Sequence, residues 1–480
     1  MKKVMTLLLV LLGWMSTTGY AQKPTFAFKD GKFKVVQFTD LHWTPRSPGC
    51  AETEATIRAV LKAEQPALAV LSGDVVTDDP AREGWEAVVN LFNELKMPFV
   101  VTMGNHDAEY LAKDDIYDFL MQSPYYVGEK GPKDIKGCGN CVLPVQGADG
   151  KAEAVLYLLD SNDYQPEKLY GAYDWIHFDQ IAWYRDQSAR FTQANGGQPL
   201  PALAFFHIPL QEYGEIVGDN KTYGTKNEGI AASRLNSGMF TSFIEMQDVM
   251  GAFVGHDHDN DYLGINKGIL LAFGRVTGKD AYGDLKRGAR IIELYEGQRK
   301  FNTWITTPDG REATYYYPSG LNSEEEARMT YSPALNVKPT RQGVAYTYYE
   351  GDCEKTADIA ACRKVKEGTM KNFSIAEAPL EDHFAYEFRT LLRIPQKGVY
   401  RFYTYSDDGS VLYIDGQKVV DNDGGHSAAR AEGKIALDEG FHEVRLLYFE
   451  DYMGQALEVG FCGKDIFETV LPDEMLYLPE

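Results

Sequence analysis

Positive charge is what this sequence has too little of: 48 lysines and arginines stand against 70 aspartates and glutamates, a formal charge of -22. Binding to a nucleic-acid backbone needs a basic footprint, so no nucleic-acid polymer is expected as a partner. Self-similarity at periods of roughly 20 to 50 residues is also missing, which sets aside solenoids and propellers. Past the leader, no run approaches the roughly 18 apolar residues of a membrane-spanning helix, so no transmembrane anchor is expected. Cysteine is scarce, six in 480 residues. The CGNC pair (Cys138, Cys141) has the spacing of half a zinc ribbon with no second pair to complete it, so a structural disulfide or plain thiols are expected there. Cys353 and Cys362 stand close enough in sequence to bridge a local loop.

The chain opens MKKVMTLLLVLLGWMSTTGYAQ, two lysines, an apolar core and small residues ending at Ala21. That is the layout of a signal peptide over residues 1–21, and no cysteine follows it to carry a lipid anchor. An exported protein, periplasmic or secreted, is expected, in a compartment that permits disulfides. The remaining length calls for two or three domains, and 44% hydrophobic residues is ordinary for folded ones.

From about residue 28 to 306, short apolar runs alternate with segments of helical pattern such as TEATIRAVLKAEQ (53–65) and WEAVVNLFNEL (85–95), the signature of a layered α/β domain. Residues 307–340 read as a linker, because SGLNSEEEARMTYSPALNVKPT is rich in serine, proline and charge. From 341 to 480 the texture turns to β-branched and aromatic residues with Asp-Gly turns, and a separate all-β sandwich is expected.

Five apolar runs in the first domain end in chemistry-bearing residues. VVQF leads to Asp40 and His42, ALAVLS to Asp74, PFVVTM to Asn105, His106 and Asp107, ALAFF to His207, and GAFV to His256 and His258. Ligands collect beyond the carboxyl ends of strands in layered α/β sheets. Five of nine histidines fall at these ends, and mixed imidazole and carboxylate ligation suits zinc, manganese or iron better than magnesium or calcium. Those five histidines with Asp40, Asp74 and Asn105 make eight such groups, too many for one tetrahedral ion, and they suit two.

Taken together, FTDLH, GD, GNHD, FFHIP and GHDH resemble the signature of the calcineurin-like binuclear metallophosphoesterases, over about residues 32–295; YLLDSNDY, NSGMF and VGHDHDNDY are similar to the subgroup near the purple acid phosphatases. The resemblance implies a central β-sandwich flanked by helices. It implies one metal on Asp40, His42 and His258, a second on Asn105, His207 and His256, Asp74 bridging, and His106 as a catalytic group beside the second metal, free to hydrogen-bond a phosphate oxygen or protonate the leaving group. Hydrolysis of phosphate monoesters by a metal-activated hydroxide is the expected activity. Cleavage of diesters in nucleotides or lipid head groups is the alternative within enzymes, and a non-catalytic glycan-binding surface protein the alternative outside them. Thr77 stands where purple acid phosphatases carry a tyrosine ligand, so no coloured ferric centre is expected. It also stands where protein phosphatases carry an aspartate that supports the catalytic histidine, leaving Asp78, Asp79 and Asp107 as candidates for that part.

Asp160, Asp163, Tyr173 and Asp174 either line the substrate cleft or are satisfied turn and anchor residues; Asp257, Asp259 and Asp261 either support the ligands or are solvated. In the last segment, GVAYTYYEG and GVYRFYTYSDDGSVLYIDGQKVVDNDGGH resemble the sugar-binding β-sandwich of the protective antigen and the flocculins. That resemblance implies glycan as a partner and calcium at Asp407 and Asp408, while the glycine after them also fits a plain tight turn.

Overall fold

The computed structural model describes residues 25–218 and 222–479; the expected signal peptide lies outside the described residues. The first domain is built on two seven-stranded sheets. In one, the strands Lys32–Phe38, Leu68–Ser72 and Phe99–Thr102 run parallel. In the other, Ala152–Leu158, Ala202–Phe205, Val249–Val254 and Ile269–Phe273 do the same. Every residue of Leu68–Ser72, Phe99–Thr102 and Val249–Val254 is buried. Parallel strands covered on both faces read as continuous apolar runs, which is why the sequence shows no alternation there.

The two expected helices form as Gly49–Glu64 and Ala81–Glu94, burying Ile57 and Val60 on one and Trp85, Val88 and Phe92 on the other. Their apolar positions recur at three- and four-residue spacing, so a single stripe faces the sheet. No helix among the described residues is long and apolar enough to cross a membrane.

The linker expected at 307–340 is corrected in part. Gly310–Tyr317 pairs antiparallel with Phe301–Thr307, and Leu321–Asn322 continues the sheet. Tyr315, Tyr316, Tyr317 and Leu321 are buried, so three aromatics outweigh the polar composition around them. Asn322 then caps the helix Ser323–Arg328, its side chain accepting from the Glu325 N–H at 2.9 Å. Residues 329–343 are the part outside helix and strand, and even there Ser332 and Leu335 bridge to Leu437 and Phe441 of the second domain.

The second domain packs a seven-stranded sheet against a four-stranded one, with Phe388, Phe402, Leu412, Leu446 and Phe461 among its buried core. The Asp-Gly turn forms as expected: Asp415 and Gly416 have φ of 48° and 76° between the strands Ser410–Ile414 and Gln417–Asn422. The Cys353 and Cys362 sulfurs lie 3.2 Å apart, close as the spacing suggested.

His442 in this domain is buried, with Nδ1 2.6 Å from Asp415 Oδ2 and Nε2 2.9 Å from the Asp438 carbonyl. Both partners accept, so only the doubly protonated ring satisfies both. Burial lowers the His442 pKa, but Asp415 and the carbonyl outweigh it and hold the ring above its ordinary value; Asp415 is held below its own. A ring raised in the folded state stabilises fully below its unfolded pKa and loses that stabilisation as pH rises through the folded value; Asp415 loses its share at acid pH. His442→Gln is therefore expected to cost about 1–3 kcal/mol between these limits. The cost should shrink as pH rises, measured as amide-exchange protection of the strand Gly440–Glu450 in the full chain.

Candidate metal centre

All five chemistry-bearing strand ends meet at one point. Three come from one sheet (Phe38, Ser72, Thr102) and two from the other (Phe205, Val254), so the site sits where the two sheets present their carboxyl ends. The backbone there is bent sharply. Asp40, His42, Asp74 and His256 all have positive φ, at 51°, 40°, 49° and 80°. Non-glycine residues in this region cost on the order of 1–3 kcal/mol each and persist where surrounding structure enforces them. Gly255 serves close approach: a Cβ there would lie 1.9 Å from Thr39 Oγ1 and 2.6 Å from Asp40 Oδ2.

Ligand atoms of Asp40, His42, Asp74 and His258 lie within 4.8 Å of one another, and so do those of Asp74, His207 and His256; Asp74 belongs to both groups. His42 Nε2 and His258 Nε2 are 3.1 Å apart. His207 Nε2 and His256 Nδ1 are 3.3 Å apart. Asp74 Oδ2 lies 3.2 Å from His207 Nε2 and 3.6 Å from His42 Nε2. Nitrogen lone pairs converging on one carboxylate oxygen make a cation-binding arrangement.

Neighbouring groups orient these ligands. His207 Nδ1 donates to the Ser72 carbonyl at 2.8 Å, which turns Nε2 toward Asp74. Thr77, expected not to ligate, lies with Oγ1 3.3 Å from His42 Nδ1, leaving that ring's Nε2 for the site. Asp40 is fixed by the Thr39 hydroxyl at 2.8 Å and the His256 N–H at 3.1 Å. Asn105 donates from Nδ2 to the Tyr164 hydroxyl at 2.9 Å, while its Oδ1 is buried with no hydrogen-bond partner. A buried amide oxygen without a partner is costly, and a cation beside it would remove that cost. The residues present therefore fit a two-metal group.

Protonation equilibria point the same way. Burial pushes His42 down to about 4 and His256 to about 3, so both rings are neutral donors near pH 7. Burial would raise Asp40, but the His258 ring outweighs it and holds the carboxyl at about 2. Asp74 is likewise held well below the carboxylate range by His207, against its burial. His207 is raised to about 10, since Asp74 overrides the desolvation that would lower it. Negative charge thus accumulates on two buried carboxylates, and a proton on His207 stands where a cation would otherwise balance it.

His106 stands at the edge of the group, half-buried, its N–H donating to Asp74 Oδ1 at 2.9 Å. Its support is not an aspartate. Asp107 is buried and accepts from the N–H groups of Val75, Val76 and Gly104 at 2.8–3.0 Å, tying two of the loops together. Glu109, which sequence reasoning missed, places Oε1 2.8 Å from His106 Nδ1. Tyr164, also missed as a site residue, places its hydroxyl 3.2 Å from His106 Nε2. An acid two residues beyond GNHD was the available signal for the first.

Of the four residues with open roles, Tyr173 lines the cleft, its ring edge-on to His256 at 4.5 Å. The others take the second alternative, as satisfied structural residues. Asp160 is buried and takes Lys113 Nζ at 2.9 Å and the Cys138 N–H at 2.8 Å. Asp163 pairs with the same lysine at 2.8 Å, and Asp174 with His177 at 2.9 Å. The trailing carboxylates are tethers rather than solvated groups: Asp257 accepts from the Ala231 N–H, Asp259 from Asp284, and Asp261 from Thr225 and from Arg275 Nε at 2.8 Å.

In the second domain, Asp407 and Asp408 form a third acidic group with Glu450, which the sequence reading did not include. Asp408 accepts from the His426 and Asp451 N–H groups at 2.8 and 2.9 Å, and Asp407 from Ala428 at 3.0 Å. Burial and the charges of Asp408 and Asp407 push the Glu450 carboxyl up to about 7. Among the described residues no cysteine joins a potential metal group.

Comparison with known proteins agrees with this geometry. Residues 33–260 match the calcineurin-like phosphoesterase family, and residues 340–467 match the PA14 domain. The chain is 31% identical over 320 residues to a protein of Arabidopsis thaliana named "Probable inactive purple acid phosphatase 29", covering 59% of this chain and 82% of that one. It is 31% identical over 319 residues to "Phosphatase DCR2" of Saccharomyces cerevisiae, covering 57% of this chain and 54% of that one. Among solved structures, a dimetal phosphatase from Danio rerio aligns at 13% identity and a TM-score of 0.44, over 59% of this chain and 99% of its own. With motif order, converging ligands and relatives in accord, the chain belongs to the calcineurin-like phosphoesterase family, near the purple acid phosphatase homologues, and carries a PA14 domain toward its C-terminus.

Proposed function

We propose that the protein is an exported binuclear phosphatase acting on phosphate monoesters, with a glycan-binding PA14 domain that holds calcium at Asp407, Asp408 and Glu450. The observation that carries the catalytic reading is Asp74, one carboxylate shared by two groups of candidate ligands, with His106 beside it. "Inactive" in the names of plant relatives is said of those proteins. Here Asp40, His42, Asp74, Asn105, His207, His256 and His258 are all in place, and none of the expected ligands is missing.

Two divalent or trivalent ions, manganese, iron or zinc, would supply an acidified water and neutralise phosphate charge. The chain's own residues do the rest. His106, its Nδ1–H donating to Glu109, is oriented to deliver a proton from Nε2 to the departing oxygen. Tyr164 fixes Asn105 through its amide and stands against the same Nε2. Glu109→Gln keeps a hydrogen-bond acceptor but removes the negative charge opposite Nδ1 of His106. It is expected to lower kcat for an alkyl phosphate on the order of tenfold, with a smaller loss on p-nitrophenyl phosphate, whose leaving group departs without a proton.

The full mature chain, its bound metals counted, should be assayed on p-nitrophenyl phosphate and on bis(p-nitrophenyl) phosphate. Two metals per chain with monoester turnover supports the proposal, and turnover of the diester alone replaces it with a phosphodiesterase. No turnover of either ester with manganese, iron or zinc, despite an intact fold, leaves the non-catalytic glycan-binding protein.

A further inference from the structure

The mouth of the metal cleft carries an acid and tyrosines where a phosphate-binding surface would ordinarily gather cations. Among the described residues lining it, no lysine or arginine occurs; Glu228, Tyr173 and Tyr282 do. Tyr282 stacks on the His258 ring at 3.9 Å and remains exposed at its outer face. Tyr173, also in the lining, stacks on Tyr164 at 5.8 Å.

Glu228 is held in place. Its Oε1 accepts from the Asp259 N–H at 2.6 Å and its Oε2 from the Tyr282 hydroxyl at 2.9 Å. Nearby cations bond backbone carbonyls: Lys226 Nζ donates to the Glu228 carbonyl at 2.9 Å, and Arg287 donates to the carbonyls of Ala281 and Tyr282. The tethers from Asp257, Asp259 and Asp261 pin the two loops that present Glu228 and Tyr282. A carboxylate retains acceptor capacity beyond two hydrogen bonds, so hydroxyl groups on a bound alcohol would find a partner. A second anion would meet the Glu228 carboxylate as a like charge. The exposed aromatic ring of Tyr282 accommodates the C–H face of a ring.

We infer that Glu228, with Tyr282, makes this cleft select phosphate esters of uncharged, hydroxyl-rich alcohols of the sugar class and reject esters whose alcohol carries another anionic group. The inference rests on the phosphatase reading above. Two probes that share one pyranose ring isolate the charge: glucose 1-phosphate and glucuronic acid 1-phosphate, with p-nitrophenyl phosphate as the baseline for turnover, all on the metal-loaded full chain.

Wild-type protein is expected to favour glucose 1-phosphate over glucuronic acid 1-phosphate in kcat/KM on the order of tenfold or more, mainly through KM, with the preference shrinking as salt rises. Glu228→Gln, which retains an acceptor for the Asp259 N–H, should bring the ratio toward unity, and Glu228→Lys should invert it. Tyr282→Phe, which frees the carboxylate, should weaken the preference without inverting it and serves if a Glu228 variant fails to fold. Turnover of p-nitrophenyl phosphate with a wild-type ratio near one, or a ratio unmoved in Glu228→Gln, would overturn this inference alone. No turnover of p-nitrophenyl phosphate would overturn it together with the phosphatase reading.

Discussion

Asp74→Asn is expected to lower the metal content from two ions per chain toward zero and kcat/KM by at least ~10⁴-fold, a modest share of the ~10⁶-fold or greater acceleration typical of enzymes. The size follows from position. Asp74 is the one residue common to both groups of ligands, and its Oδ2 lies 3.2 Å from His207 Nε2 and 3.6 Å from His42 Nε2. A neutral amide cannot supply the charge two cations would share. The fold should survive, because Asn retains an Oδ1 acceptor for the His106 N–H, now 2.9 Å away. Elemental analysis alongside a melting curve separates the outcomes: two metals retained with an unchanged melt would refute the bridging role. In metal-free protein the same variant should lower the His207 pKa from about 10, because the Asp74 charge is what raises it.

His106→Ala carries the second largest effect, and its signature is dependence on the leaving group. On an alkyl phosphate kcat should fall by roughly 10²–10⁴-fold, the usual worth of a positioned general acid. On p-nitrophenyl phosphate the loss should be much smaller, and two metals per chain should remain, since His106 belongs to neither group of ligands. Equal losses on both esters would refute proton delivery and leave His106 a role in binding the phosphate. His106→Asn on the same two esters checks that any loss is not one of packing alone.

The parts of the site legible in the sequence are those written in contiguous residues. Each strand end announced itself, because a fully buried parallel strand is an unbroken apolar run and the residue after it is forced to turn. Two amphipathic helices and the Asp415-Gly416 hairpin were legible for the same reason: periodicity and positive φ are local properties. The linker misled because composition counts residues without asking which are buried, and Tyr315, Tyr316 and Tyr317 are.

Other features depend on contacts no local pattern records. Glu109 rather than Asp107 supports His106, since Asp107 is consumed by three backbone N–H groups. Asp160 and Asp163 turn away from the cleft because Lys113, about fifty residues earlier, meets both.

By itself, then, the sequence determined the kind of chemistry: imidazoles and carboxylates at five strand ends, in an order that matches one family, followed by a β-rich second domain. Tertiary structure decided the geometry. Two separate sheets bring their carboxyl ends together, so Asp74 from one meets His207 and His256 from the other, and Glu228 is held at the mouth by Tyr282, more than fifty residues away. The physical reason is that ligand identity is a property of single residues, whereas convergence, desolvation and the charge of a cleft arise only when distant strands share one buried space.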